Sequence, residues 1–290
     1  MPHIFRSISH QACSAAVALA FGLLAGCQSL DAAAPGTLSA EKIAAVLASP
    51  DRSANDRNND VRRKPADMLA FIGIRPGMTA LDLSAGGGYT TELLARAIGP
   101  GGRVYGQNPP RDAANPPPRP AVPEGEAVPA QRSAAIPNTT VTPPPRQTLA
   151  DRAKTPGIAP IIAVSRKFDD PIPPGIAAGT LDLATLMFNY HDLSYQGVDR
   201  GAMNKAVLAA LKPGGIYVIA DHAGRPGTGI SEASTLHRME EAFLRREIEA
   251  AGFRLAASGN FLRNPADPRD RNIPEPPQPK DEFVLKFVKP

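Results

Sequence analysis

Two cysteines in 290 residues leave little room for thiol chemistry. Cys13 and Cys27 both lie near the amino end. Everything after Cys27 is therefore without a disulfide, a thiolate metal site or a cysteine nucleophile. A chain this long can bury its own core without such bonds. Charge of one sign is not blocked either: 32 basic and 28 acidic residues are interspersed, for a formal net charge of +4. Asp51 to Lys64 alternates acids and bases and reads as a solvated or salt-bridged segment. There is no basic stripe with interleaved aromatics and no stacking platform, so nucleic acid is not an expected partner. The apolar run Ala12 to Gly26 is too short for a permanent span, which needs about 20 apolar residues.

That run follows Arg6 and a free amino group, the layout of a signal-peptide apolar region. It ends in Leu24-Ala25-Gly26-Cys27, which resembles the lipobox of bacterial lipoproteins. The resemblance implies that Cys27 is acylated and becomes the first mature residue. Dual acylation would give a stable membrane anchor. The expected location is the periplasmic side of the envelope, with Gln28 favouring the outer membrane.

After a small-residue tether, Leu38 to Ser49 has helical spacing, with Ser39 as cap and Ile43, Val46 and Leu47 on one stripe. A second helix is predicted over Asp60 to Phe71, with Pro65 near its start. Thr79 to Leu83 is a short buried strand, Gly86 to Gly88 open a helix reaching Ile98, and Val104 to Gly106 form a second strand. Asn108 to Arg146 carries 12 prolines in 39 residues and few large apolar side chains, so it reads as a disordered or polyproline-like insertion. Strands follow at Ile158 to Val164 and Leu181 to Phe188. Asp199 caps a helix to Leu211, and Lys212-Pro213-Gly214-Gly215 turns into a strand over Ile216 to Ala220. Glu232 to Ala251 reads as one long helix. Arg254 to Phe261 and Glu282 to Val288 are the last strands. Alternating strands and helices imply a mainly parallel sheet with right-handed crossovers. The last two strands, with no helix between them, should pair antiparallel. The expectation is one α/β domain with a seven-stranded, Rossmann-like sheet.

The densest chemistry lies in Asp82-Leu83-Ser84-Ala85-Gly86-Gly87-Gly88-Tyr89-Thr90. A strand ends in an acid, a glycine-rich turn follows, and a helix starts with free N–H groups. The dinucleotide fingerprint is incomplete, because Thr91 stands where its third glycine belongs, and there is no Gly-Lys-Ser/Thr of a P-loop. A tight strand–helix turn without a ligand is the plain alternative. The stretch resembles motif I of class I S-adenosylmethionine-dependent methyltransferases. More narrowly, Asn189-Tyr190-His191-Asp192, Asp221-His222 and Leu236-His237-Arg238 resemble segments of a family of predicted methyltransferases. The resemblance covers roughly Ala48 to Pro290 outside the proline insertion. It implies S-adenosylmethionine as cofactor, a small-molecule methyl acceptor, and Asp82, Ser84, Gly86, Gly88, Tyr89, Asn108 and Asn189 as cofactor-binding residues. Two positions depart from that pattern: Ser84 replaces the first motif glycine, and Gln107-Asn108 stands where an acid normally accepts from both ribose hydroxyls.

In an open α/β sheet, ligands sit outside the carboxyl ends of the strands. Those ends carry Asn189, Tyr190, His191 and Asp192 after the fourth strand, and Asp221 and His222 after the fifth. Three readings stand. His191 or His222, with Asp192 beside them, could serve as acid–base catalysts, His191 foremost. His191, Asp192, Asp221 and His222 could form a metal site, although no tight ligand spacing marks one. Or all of them are loop hydrogen-bonders that stabilise the fold. His237 reads as a helix-surface residue paired with Glu240 or Glu241. Gly224 to Gly229 would be a hinge if the helix after it covers the pocket. A methyltransferase is the leading expectation; an envelope lipoprotein that keeps the fold and binds another ligand is the alternative.

Overall fold

The computed structural model describes Met1 and residues 36–114, 116–122, 147–274 and 278–290. The export segment with Cys27, and residues 123–146 of the proline-rich stretch, lie outside the described residues. Among the described residues no helix is long and apolar enough to cross a membrane.

The amino-terminal helices are α1 (Ala40–Ala48), α2 (Ala54–Arg63) and α3 (Pro65–Ile72). Ser39 caps α1 by accepting from the Lys42 N–H, and Ile43 is the buried residue of that helix. Ser53 caps α2 in the same way at Asp56. The helix predicted over Asp60 to Phe71 is thus two helices, parted at Lys64, whose φ is +43°. Pro65 is the cause. Its ring disfavours a right-handed helical residue before it, while its fixed φ suits the first position of the next helix.

The sheet strands are β1 (Thr79–Leu83), β2 (Arg103–Asn108), β3 (Ile161–Ser165), β4 (Leu181–Met187), β5 (Leu211–His222), β6 (Arg254–Gly259) and β7 (Glu282–Val288). Their spatial order is β3-β2-β1-β4-β5-β7-β6. The first five strands pair in parallel, and β7 runs antiparallel to both β5 and β6. The predicted seven strands and antiparallel final strand are both present. Helix α4 (Tyr89–Ile98) follows β1, short α5 (Leu149–Arg152) precedes β3, and α6 (Asp192–Tyr195) and α7 (Arg200–Ala210) join β4 to β5. Short α8 (Ala233–Leu236) and α9 (Glu241–Ala250) lie between β5 and β6.

Central strands are buried on both faces, which is why they read as nearly continuous apolar runs. One face packs Ile43, Met68, Leu69, Ile72, Leu94 and Ile98 of α1, α3 and α4. The other packs Met203, Val207, Leu244 and Ile248 of α7 and α9. Along β5, Tyr217 and Ile219 point to the second layer and Val218 and Ala220 to the first.

Three expectations are corrected here. The long helix Glu232 to Ala251 is broken between α8 and α9. Met239 pairs its backbone with the end of β5, donating to the His222 carbonyl and accepting from the Gly224 N–H, and a continuous helix cannot do both. Gly224 and Gly229 are also tied down, to Met239 and Glu240, so this stretch is bonded at both ends rather than loose as a hinge. The third correction concerns the beginning of the insertion. Val122 is buried, and its N–H donates to the Ser234 carbonyl. This part of the insertion packs on the domain.

Candidate functional site

β1 delivers Asp82 to its carboxyl end, and the next five residues turn the chain into α4. Ser84 sits in the left-handed region with φ +55°, as do Gly86 at +55° and Gly88 at +87°. A serine there costs about 1 kcal/mol that glycine would not. We expect Ser84→Gly to raise unfolding free energy by about 1 kcal/mol in urea melts, and an unchanged midpoint would show that the serine is not strained.

Three polar residues stitch this turn to its neighbours. Buried Gln107 accepts from the Ser84 N–H at 3.1 Å and donates to the Arg166 carbonyl at 2.6 Å. Asn108 accepts from the Gly86 N–H at 2.8 Å and donates back to its carbonyl at 3.1 Å. Arg152, arriving from α5, donates to the Gly87 carbonyl at 2.7 Å. Gly88 makes room for that approach: a Cβ there would lie 2.7 Å from Leu149 and 2.8 Å from Arg152. The position expected to face a ribose is therefore committed to the glycine turn.

Between this turn and α2 lies a cleft of about 610 Å³, lined by Asp82, Ser84, Gly86, Tyr89, Asn58, Arg63 and Met187 among others. The α2 segment read as solvated or salt-bridged turns out to be salt-bridged and to form the cleft's wall. Arg152 pairs with Asp56 at 2.7 Å and with Glu92. Arg52 binds both oxygens of Asp60, each at 2.7 Å, and Tyr89 donates to the same carboxylate at 2.7 Å. Nothing in the local sequence marks Arg152, which is 96 residues from Asp56.

Asp82 is buried at the inner end of the cleft. Thr91 and Thr185 donate to its two oxygens at 2.6 and 2.7 Å. Burial outweighs these bonds and pushes the carboxyl up to about 6. The Arg63 charge in the same cleft offsets this only in part, so a further cation beside the carboxylate is favoured.

His191, Asp192, Asn189, Asp221 and His222 lie at the carboxyl ends of β4 and β5, as expected, but none of them lines that cleft. His191 is fully buried. Its Nδ1 is 2.6 Å from Asp221 Oδ1, and its Nε2 is 3.1 Å from Asp192 Oδ1 and 3.3 Å from His237 Nδ1. Burial alone would lower the imidazole, but the Asp221 and Asp192 carboxylates beside it outweigh that and hold it up at about 10. With both ring nitrogens engaged, His191 is not poised to take a proton from a substrate. His222 Nδ1 lies 3.0 Å from Glu282. His237 is not the helix-surface residue the sequence suggested: it is buried, with φ +50°, and faces His191. Arg238 beside it is buried against Asp267 at 2.8 Å. The chain thus gathers His191 and Asp192 with His237, rather than with His222, around one point.

No protein-family model matches the chain, and no curated protein matches it. Solved structures do. The fold is that of class I methyltransferases, with their Rossmann-like seven-stranded sheet. A SAM-dependent methyltransferase from Aquifex aeolicus matches with a TM-score of 0.50 at 15% identity, over 87% of this chain and 100% of that one. An arsenic(III) S-adenosylmethionine methyltransferase from Chlamydomonas reinhardtii matches with 0.47 at 18%, over 86% and 73%. A TehB-like SAM-dependent methyltransferase from Corynebacterium glutamicum matches with 0.45 at 14%, over 82% and 99%.

Proposed function

We propose that the chain is an S-adenosylmethionine-dependent methyltransferase acting on a small-molecule acceptor. The observation that carries this reading is Asp82: a buried carboxylate, raised to about 6, at the inner end of a cleft walled by a glycine turn and a helix start. A buried carboxylate at that place fits the cationic methionine end of the cofactor, which Asp82 would hold beside the glycine turn. When bound, the cofactor supplies an electrophilic methyl carbon on a sulfonium. The chain's own contribution is to fix orientation, with α2 and Tyr89 shielding the cleft from water. Calorimetric titration of the folded protein with S-adenosylmethionine should give micromolar affinity. Absence of heat and of thermal stabilisation at millimolar cofactor would overturn the reading.

One observation favours a second reading, a non-catalytic envelope lipoprotein that keeps this fold and binds another small ligand or partner. Asn108 bonds Gly86 through both halves of its amide, leaving the ribose end without its usual acid. Failure of the cofactor titration would favour it.

Either protein would be held to the periplasmic side of the envelope by acylated Cys27. Cys27→Ser should then release the protein from membranes or block its processing. Metabolic labelling with a fatty acid that persists in the variant would refute this anchoring.

A further inference from the structure

We propose that His191 Nε2, His237 Nδ1 and Asp192 Oδ1 form a binding site for one divalent transition-metal ion of the zinc class. The three atoms make a nearly equilateral triangle, with sides of 3.1, 3.3 and 3.4 Å. A point about 2 Å from all three exists close to its plane, which is the usual length of a zinc bond to imidazole nitrogen or carboxylate oxygen.

The hydrogen bonds around the triangle fix which ring nitrogens carry hydrogens. His191 Nδ1 faces Asp221 Oδ1, and that carboxylate also accepts from the backbone N–H groups of His191 and His222 at 2.8 Å each. Nδ1 of His191 therefore carries a hydrogen and donates it. His237 Nε2 lies 2.5 Å from the Val122 carbonyl, which can only accept, so it too carries a hydrogen. A neutral imidazole has one N–H. With both rings neutral, His191 Nε2 and His237 Nδ1 are the nitrogens without hydrogen, 3.3 Å apart and 3.1 and 3.4 Å from Asp192 Oδ1. Three such atoms in a buried place call for positive charge between them, a metal ion or a proton.

Metal-binding histidines characteristically donate their second nitrogen to a carboxylate or a backbone carbonyl, which fixes the tautomer and orients the ring. Both partners are present here, Asp221 for His191 and Val122 for His237. Tyr195 donates to the Asp192 oxygen at 2.6 Å, as ligating carboxylates are also commonly supported. The backbone supplies a further sign. His237 is held with φ +50°, a conformation costing a non-glycine residue about 1–2 kcal/mol, and that turn aims its ring at His191. Two nitrogens and one oxygen suit zinc, with a fourth position left to water. The ion would join the segments after β4 and β5 and, through Val122, the start of the insertion.

The rival occupant is a proton, which would make one histidine an imidazolium. The test uses the full chain, freed of metal by chelator dialysis and titrated with Zn²⁺ alone, in the absence of any cofactor. The expected result is one equivalent of Zn²⁺ taken up with proton release and a rise in melting temperature. Co²⁺ in its place should give the intense visible bands of a tetrahedral ion. Asp192→Asn and His237→Gln, separately, should weaken uptake at least about tenfold, and Asp221→Asn by about 10–100-fold. Equal uptake by the wild type and both ligand variants, or octahedral Co²⁺ bands, would overturn the proposal, and no uptake at all would assign the centre to a proton. Because the readout is metal binding without cofactor, failure here leaves the methyltransferase reading untouched.

Discussion

Arg152→Met is expected to destabilise the fold by about 3–5 kcal/mol, the usual cost of removing one partner from a buried ion cluster. Arg152, Asp56 and Glu92 are 5%, 3% and 4% exposed, and Arg96 still pairs with Glu92 at 2.7 Å, so it is chiefly the buried Asp56 carboxylate that loses its cation. Burial alone would push the Asp56 carboxyl up, and it is the Arg152 guanidinium that holds it below the usual range. Without Arg152 that carboxyl must take up a proton or unfold part of α2. The same arginine donates to the Gly87 carbonyl, so the glycine turn should also loosen and cofactor affinity fall. A triple replacement, Asp56→Asn, Glu92→Gln and Arg152→Met, separates charge from packing. It removes the stranded charges and should recover most of the loss, since an apolar or neutral substitute for a buried ion cluster is commonly tolerated. Urea denaturation of both variants decides this. A single-variant loss below about 1 kcal/mol would mean that water from the cleft reaches the Asp56 carboxylate.

That cluster also marks the limit of what the sequence reveals. Strands were legible because central positions such as Leu81, Leu83, Leu183 and Val218 are buried and lie in nearly continuous apolar runs. Caps were legible because Ser39 and Asp199 act on N–H groups three residues away. Local chemistry is visible locally. The ion cluster joins residues on opposite sides of a long insertion, and no period or spacing connects Asp56 to Arg152. The break after α8 was hidden for a related reason. Leu236, Met239 and Phe243 have helical spacing, but Met239 gains more by pairing with β5 than by extending a helix, and that partner is far along the chain. His237 was misplaced with it. The Leu-His-Arg segment was noticeable in the sequence, but its meaning depends on His191, 46 residues earlier. Asn108 illustrates the opposite case. Its position at the end of β2 was correctly read, yet the sequence could not tell that its amide faces Gly86.

Asp82→Asn should make the protein more stable at pH 7 and poorer at holding its cofactor. The folded-state carboxyl titrates at about 6, against 3.8 for the ordinary group. A raised value means that the group favours folding below the unfolded value and loses that contribution as pH rises through about 6. At pH 7 the ionised, buried carboxylate therefore costs on the order of 2–3 kcal/mol relative to its protonated form. Asparagine removes the charge and keeps the shape. Its oxygen can accept from Thr185, and its amino group can donate to Thr91, whose hydroxyl can turn to a backbone carbonyl of the preceding turn. The stability gain should thus appear at pH 7 and vanish near pH 4, and paired urea melts at the two values measure it. Equal gains at both values would mean that charge is not the cause. A loss at pH 7 would show that the two threonines satisfy the carboxylate fully. The affinity effect runs the other way. A cation entering the cleft recovers the unfavourable energy of the bare carboxylate, so its loss should weaken S-adenosylmethionine binding by about 1.5–3 kcal/mol. Wild-type affinity should also fall as pH drops from 7 to 5, while the asparagine variant, with nothing to titrate there, should show a flat profile. A site that destabilises the empty fold in order to receive a cation predicts all three results together. A structural acid that happens to be buried predicts only the first.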